Sequence, residues 1–205
     1  MADNEPGIAA VDLPTHFPVS GGRGRRHRSL TGLSGILLFA CMFLPAVKGC
    51  HQPVMPYEVP PFLPPYLYGL VFAMLAMSRS SRGLAFGVVA LRALAVLVVL
   101  GSVVLVVIVP PVGVIELVIG SMLLVIVGLA GTTEPRIAGT GIAVGLVSMM
   151  WFGFWAVTPD ALLGIYLALV SSIGLFAGSL AWSRELMCRS PVDMPRAVAV
   201  PRHRQ

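Results

Sequence analysis

The chain runs to 205 residues, of which 57% are hydrophobic and only 11% charged, whereas a soluble domain carries roughly 25% charged residues. So much apolar surface exceeds what a water-soluble fold of this length buries, which excludes an ordinary cytoplasmic enzyme, a nucleic-acid-binding domain and a disulfide-rich secreted module. The net charge of +5 lies almost wholly outside the apolar runs, so it bears on topology and not on nucleic acid.

Residues 1–29 lack apolar periodicity and end in Arg23, Arg25, Arg26, His27 and Arg28, which reads as a disordered basic cytoplasmic tail. A first membrane helix is predicted over 30–47. A Pro-rich external loop over 48–61 follows, with further prolines at Pro64 and Pro65; proline lacks the amide donor and restricts the residue before it, so the loop is not expected to be helical. The second helix, 62–78, reaches spanning length only if Phe62 to Pro65 begin it. The third, 84–109, is interrupted by Arg92 and ended by Pro110 and Pro111. The fourth covers 112–130 with Glu116 near its start, the fifth 137–157, and the sixth 161–182. Residues 183–205 read as a second disordered basic cytoplasmic tail. The expected fold is all-α, a polytopic six-helix transmembrane bundle over 30–182 with disordered tails.

Charge placement fits that frame. With six spans, twelve of the fourteen basic residues share one side with both tails, and Lys48 alone lies opposite. The positive-inside bias then puts both termini in the cytoplasm. Thirteen of the fourteen are arginine, a skew that points to a high-GC genome and hence to a bacterial inner membrane. Half of the sixteen aromatic residues, among them Tyr57, Phe62, Tyr66, Tyr68, Trp151 and Trp155, fall near the outer boundary. They read first as an interfacial belt and second as the lining of an external pocket.

Arg92 and Glu116 are the ionisable residues well inside the apolar runs, where a charge costs at least ~2.5–3.5 kcal/mol at mid-membrane. Arg92 lies roughly 26 Å below the turn at Pro110 and Glu116 roughly 7 Å below it, so the two are too far apart to pair. Snorkelling or a bond to a backbone carbonyl is the simpler reading of Arg92, with an anion or lipid headgroup as the functional one; hydration at the outer surface is the simpler reading of Glu116. No histidine or second carboxylate lies deep in a span, which counts against a proton relay or a cation-coupled carrier.

Cys41 and Cys50 bracket the outer end of the first helix and form a candidate external disulfide. Cys188, in the second tail, is a weak palmitoylation candidate. Gly49-Cys50-His51 ends like a haem attachment site, but Val47 stands where the first cysteine belongs. Met42, Cys50, His51 and Met55 are soft donors suited to copper, without the repeated spacing of a copper site. Leu38-Phe39-Ala40-Cys41 resembles a bacterial lipobox. Phe39 departs from that pattern and the chain stays apolar after Cys41, so a membrane anchor accounts for the segment more simply. No metal, cofactor or catalytic residue is expected, because no P-loop, H-E-x-x-H, G-x-S-x-G or dinucleotide fingerprint occurs.

Gly83/Gly87, Gly141/Gly145 and Gly174/Gly178 stand at the spacing that lets membrane helices approach closely, within one bundle or toward a membrane-protein partner or homo-oligomer. The basic tails are expected to lie against anionic lipid headgroups, with the bilayer as solvent and no nucleic-acid partner. The leading expectation is a non-enzymatic integral subunit or scaffold acting through partner proteins. The alternative is a small-solute transporter or channel with Arg92 and Glu116 as polar contacts. A redox enzyme using Cys41 and Cys50 is a third, weakened by the lack of C-x-x-C.

Overall fold

The computed structural model describes residues 22–49, 52–78, 80–129 and 133–188. The described chain is almost entirely helical: α1 Gly22–Ala40, α2 Leu63–Met77, α3 Ser81–Ile108, α4 Pro110–Leu129, α5 Glu134–Ala156 and α6 Leu163–Cys188. α1 begins at Gly22 and not at Leu30, so Arg28 lies on the helix and not in a tail, and α6 continues to Cys188, past Trp182. Residues 1–21 and 189–205, most of the two expected tails, lie outside the described residues. Prolines set several boundaries: Pro110 opens α4, Pro135 follows Glu134 at the start of α5, and Pro64 and Pro65 stand in the first turn of α2. These are the positions where the missing amide hydrogen would have had no partner in the helix.

Five helices are long and apolar enough to cross a membrane: α2 with its preceding turn (Pro60–Met77), α3, α4, α5 and α6. α1 is not among them. Arginines fill its first turns, and its apolar stretch from Leu30 to Ala40 is only about 16 Å long at ~1.5 Å per residue. It also ends sooner than expected: a tight 3-10 turn at Cys41–Phe43 leads into extended chain at Leu44, and Pro45 follows.

The bundle has an apolar core and keeps large apolar side chains on its surface as well. On α1, Thr31 is fully buried while Leu33 is 55% exposed. Serines and threonines are buried on the inner faces of the helices, whereas valines, leucines and isoleucines cover the outer faces of α3 and α4. A folded chain turns such faces outward where the solvent is itself apolar. Ser179 Oγ has no partner, but several of the buried hydroxyls satisfy themselves within their own helices: Ser102 donates to Val98 O (2.7 Å), Thr140 to Arg136 O (2.8 Å) and Ser172 to Ala168 O (2.8 Å). Backbone polarity is met inside each helix in the same way, as lipid requires. Five helices long and apolar enough to cross a membrane support a membrane protein.

α1, α2, α5 and α6 pack as one group, with α1 between α2 and α6, while α3 and α4 form a hairpin attached mainly through α2 and only lightly through α4 to α5. The glycines at helix-packing spacing are used within the chain: a Cβ on Gly145 would lie 2.8 Å from the Phe176 backbone, one on Gly178 2.8 Å from Thr31 Oγ1, and one on Gly87 would strike Leu75.

The Pro-rich loop is ordered where it is described. β1 (Val47–Lys48) pairs antiparallel with β2 (Pro53–Val54), and 3-10 turns follow at Pro56–Glu58 and Pro60–Phe62. Short 3-10 helix does form here, because its first positions need no proline amide. Lys48 N donates to Asp160 O (2.8 Å) and Leu162 N to Ala46 O (2.8 Å), tying the loop to the α5–α6 turn as a cap over that end of the bundle.

Candidate functional site

Under this cap an open cleft, with a cavity volume of about 40 Å³, separates the α3–α4 hairpin from the four-helix group. Its walls are Pro61, Pro64, Pro65 and Tyr68 beside and along α2, Val98 on α3, Glu116, Ile119, Gly120 and Leu123 on α4, and Val147, Ser148 and Trp151 on α5. Glu116 is half-buried, as is Trp151, and Tyr68 is 2% exposed. The Tyr68 hydroxyl and the Trp151 indole N–H are both buried with no hydrogen-bond partner. An orphan donor in an apolar wall costs free energy that a bound acceptor recovers.

Local packing holds these groups. Phe62 sits against Trp155 (ring centroids 5.0 Å apart) and Trp151 (6.1 Å), and Tyr66 against Phe152 (5.1 Å). Contacts of this geometry stabilise beyond their buried area and fix ring orientation. The expected aromatic belt is therefore divided. Phe62, Tyr66, Tyr68 and Phe152 are buried within the bundle, while Tyr57 and Phe154 remain on its surface.

Arg92 does not reach this site. Its guanidinium donates to Gly128 O (3.2 Å) near the C-terminal end of α4, and Gly128 is about 18 Å along α4 from Glu116 at ~1.5 Å per residue. The bond supplies a donor to a carbonyl of the last helical turn, where positive charge is favoured. Cys41 is buried against Ser171. Cys50 and His51 lie outside the described residues, and with them the expected Cys41–Cys50 disulfide.

At the opposite end of the bundle Arg28 joins four helices. It donates to Ala76 O (3.0 Å), Leu75 O (3.0 Å) and Ser78 O at the end of α2, and to Glu134 Oε1 (3.1 Å) at the start of α5. Its guanidinium also stacks 5.5 Å from the ring centroid of Trp182 on α6. A cation thus meets the negative end of one helix dipole and an acidic residue placed at the positive end of another. Sequence reasoning missed Arg28 because it is one of a basic cluster. The available signal was the small or polar series Thr31, Ser34, Gly35 continuing from it at helical spacing.

No family model, curated protein or solved structure matches this chain.

Proposed function

We propose that the chain is a multi-pass membrane protein of six spans with both termini in the cytoplasm, and that it is a small-solute carrier which takes its solute in the cleft below the outer cap. The cleft itself carries this reading: Glu116, Tyr68 and Trp151 line it together between a loosely attached hairpin and a firmly packed group, a favoured location for ligand sites. Helices that must move apart need a lightly packed boundary, and α4 against α5 is such a boundary. The sixth span is supported by the run of α1 and the chain that follows it along α6, with Thr31 of α1 against Gly178 at one end and Pro45 O, beyond α1, against Gly164 at the other.

Filling the cleft tests the reading. A solute that binds the folded state at about 100 times its Kd stabilises it by about 2.7 kcal/mol. In a thermal-shift screen of charged and neutral small solutes, at least one is expected to stabilise the wild type and not Val147→Phe, with the unliganded Tm of the two alike. A screen in which no solute stabilises the wild type, or in which Val147→Phe responds equally, contradicts it.

The topology has its own check. Lys48 is the chain's one lysine and is exposed. In right-side-out vesicles an impermeant amine reagent is expected to modify Lys48, and an impermeant maleimide to reach Cys188 only after permeabilisation. Labelling of Cys188 in sealed vesicles would reverse the orientation.

A second reading, an integral subunit acting through a partner, draws on the broad apolar outer faces of α3 and α4. Co-purification of one protein at a fixed ratio would favour it.

A further inference from the structure

We propose that the cleft selects a small organic ammonium ion, with its charge at Glu116 and its apolar body against the rings of Tyr68 and Trp151; this rests on the solute-cleft reading above. Glu116 is the one charged residue among the lining residues, and no cationic side chain accompanies it. An anionic solute therefore meets repulsion without compensation, and a neutral one supplies no counter-charge to the carboxylate. An inorganic cation needs several oxygen, nitrogen or sulfur ligands, and no group of three histidine, cysteine or acidic residues stands together among the described residues. An alkylammonium ion needs no such set. One carboxylate balances its charge, and aromatic faces attract it through their quadrupoles.

The buried donors narrow the class further. Tyr68 and Trp151 both line the cleft, and the Tyr68 hydroxyl and the Trp151 N–H buried behind its wall have no partner; a turn of either ring toward an occupant brings it an acceptor. An ammonium ion bearing an oxygen a few bonds away, as in an amino alcohol, meets both demands at once. The same chemistry is presented by a free solute in the outer water and by the headgroup of an amine-bearing phospholipid.

The test uses the full-length protein in detergent, stripped of lipid, with choline as the probe. Its uncharged carbon isostere 3,3-dimethylbutan-1-ol and the anion 3,3-dimethylbutyrate serve as comparisons of matched size. Choline is expected to bind saturably and at least tenfold more tightly than either. Glu116→Gln should remove that preference, and Tyr68→Phe should weaken choline severalfold. The comparison among ligands needs no variant and stands even if Glu116→Gln fails to fold. Mass spectrometry before stripping separates the sources. A phospholipid with an amine headgroup retained by the wild type and displaced by choline identifies lipid as the source, and its absence alongside choline binding identifies a free solute. Equal binding of choline and the isostere overturns the charge selection while leaving a solute cleft in place. If none of the three probes binds and no lipid is retained, the charge selection falls, and the broader screen against Val147→Phe decides whether the cleft reading falls with it.

Discussion

Arg28→Ala is expected to lower the stability of the detergent-solubilised protein by roughly 2–3 kcal/mol, below the ~3–5 kcal/mol for breaking a fully buried, hydrogen-bonded ion pair by removing one partner. The side chains of Arg28 and Glu134 are 14% and 27% exposed, so solvent screens part of the pair. Most of the loss comes from the α2 carbonyls and the Trp182 face. Glu134→Gln removes only the ion pair and should cost under about 1 kcal/mol, as partly exposed pairs do. Thermal unfolding of the two variants separates the contributions. An Arg28→Ala protein as stable as the wild type would show that α1 is not docked through this residue.

Gly35→Ala is expected to destabilise by roughly 1–3 kcal/mol or to prevent folding, the range for overpacking a close contact. Gly35 on α1 and Gly69 on α2 form a reciprocal crossing: a Cβ on Gly35 would enter the shell of Gly69 O, and one on Gly69 would lie 2.9 Å from Gly35 O. Backbone stands on both sides, so no side chain is there to swing away. Gly139→Ala makes the same chemical change on α5, where nothing lies within 4 Å of the added methyl. There the lower conformational entropy cost of alanine should stabilise by up to about 1 kcal/mol. Opposite signs in the two melting-temperature shifts are the expected result; an equal gain at both would mean that helix propensity and not the crossing sets the outcome.

The apolar runs were legible because a lipid-facing helix needs nothing beyond length and apolarity, and prolines marked where several of them begin. Helix ends were less so. Glu134 to Arg136 stand before the predicted start of the fifth helix at Ile137 yet form the first turn of α5, since a helix leaving a membrane continues into polar sequence at little cost. Arg28 shows the same limit more sharply, because a basic cluster has one composition whether it lies in a coil or on a helix. Its partners, three carbonyls and Glu134, are distant in sequence and leave no periodic trace. Glu116 stood out as a charge in an apolar run, but its setting depends on Tyr68 and Trp151. Nothing in the sequence separates a buried, unsatisfied tyrosine from an interfacial one, for both occur at the same depth and in the same composition.

Cysteine reactivity at two neighbouring positions on α5 brings these ideas together. Met150 is 66% exposed and lies outside the cleft, whereas Val147 is half-buried and lines it. A thiol reacts as its thiolate, which forms in water and not in lipid. In a chain whose three native cysteines are replaced, Val147→Cys is expected to react with a water-soluble cationic thiosulfonate added from outside, and Met150→Cys to stay unmodified in the bilayer despite its greater exposure. Rapid reaction at Met150→Cys with protection at Val147→Cys would contradict both the lipid-facing surface and the open cleft.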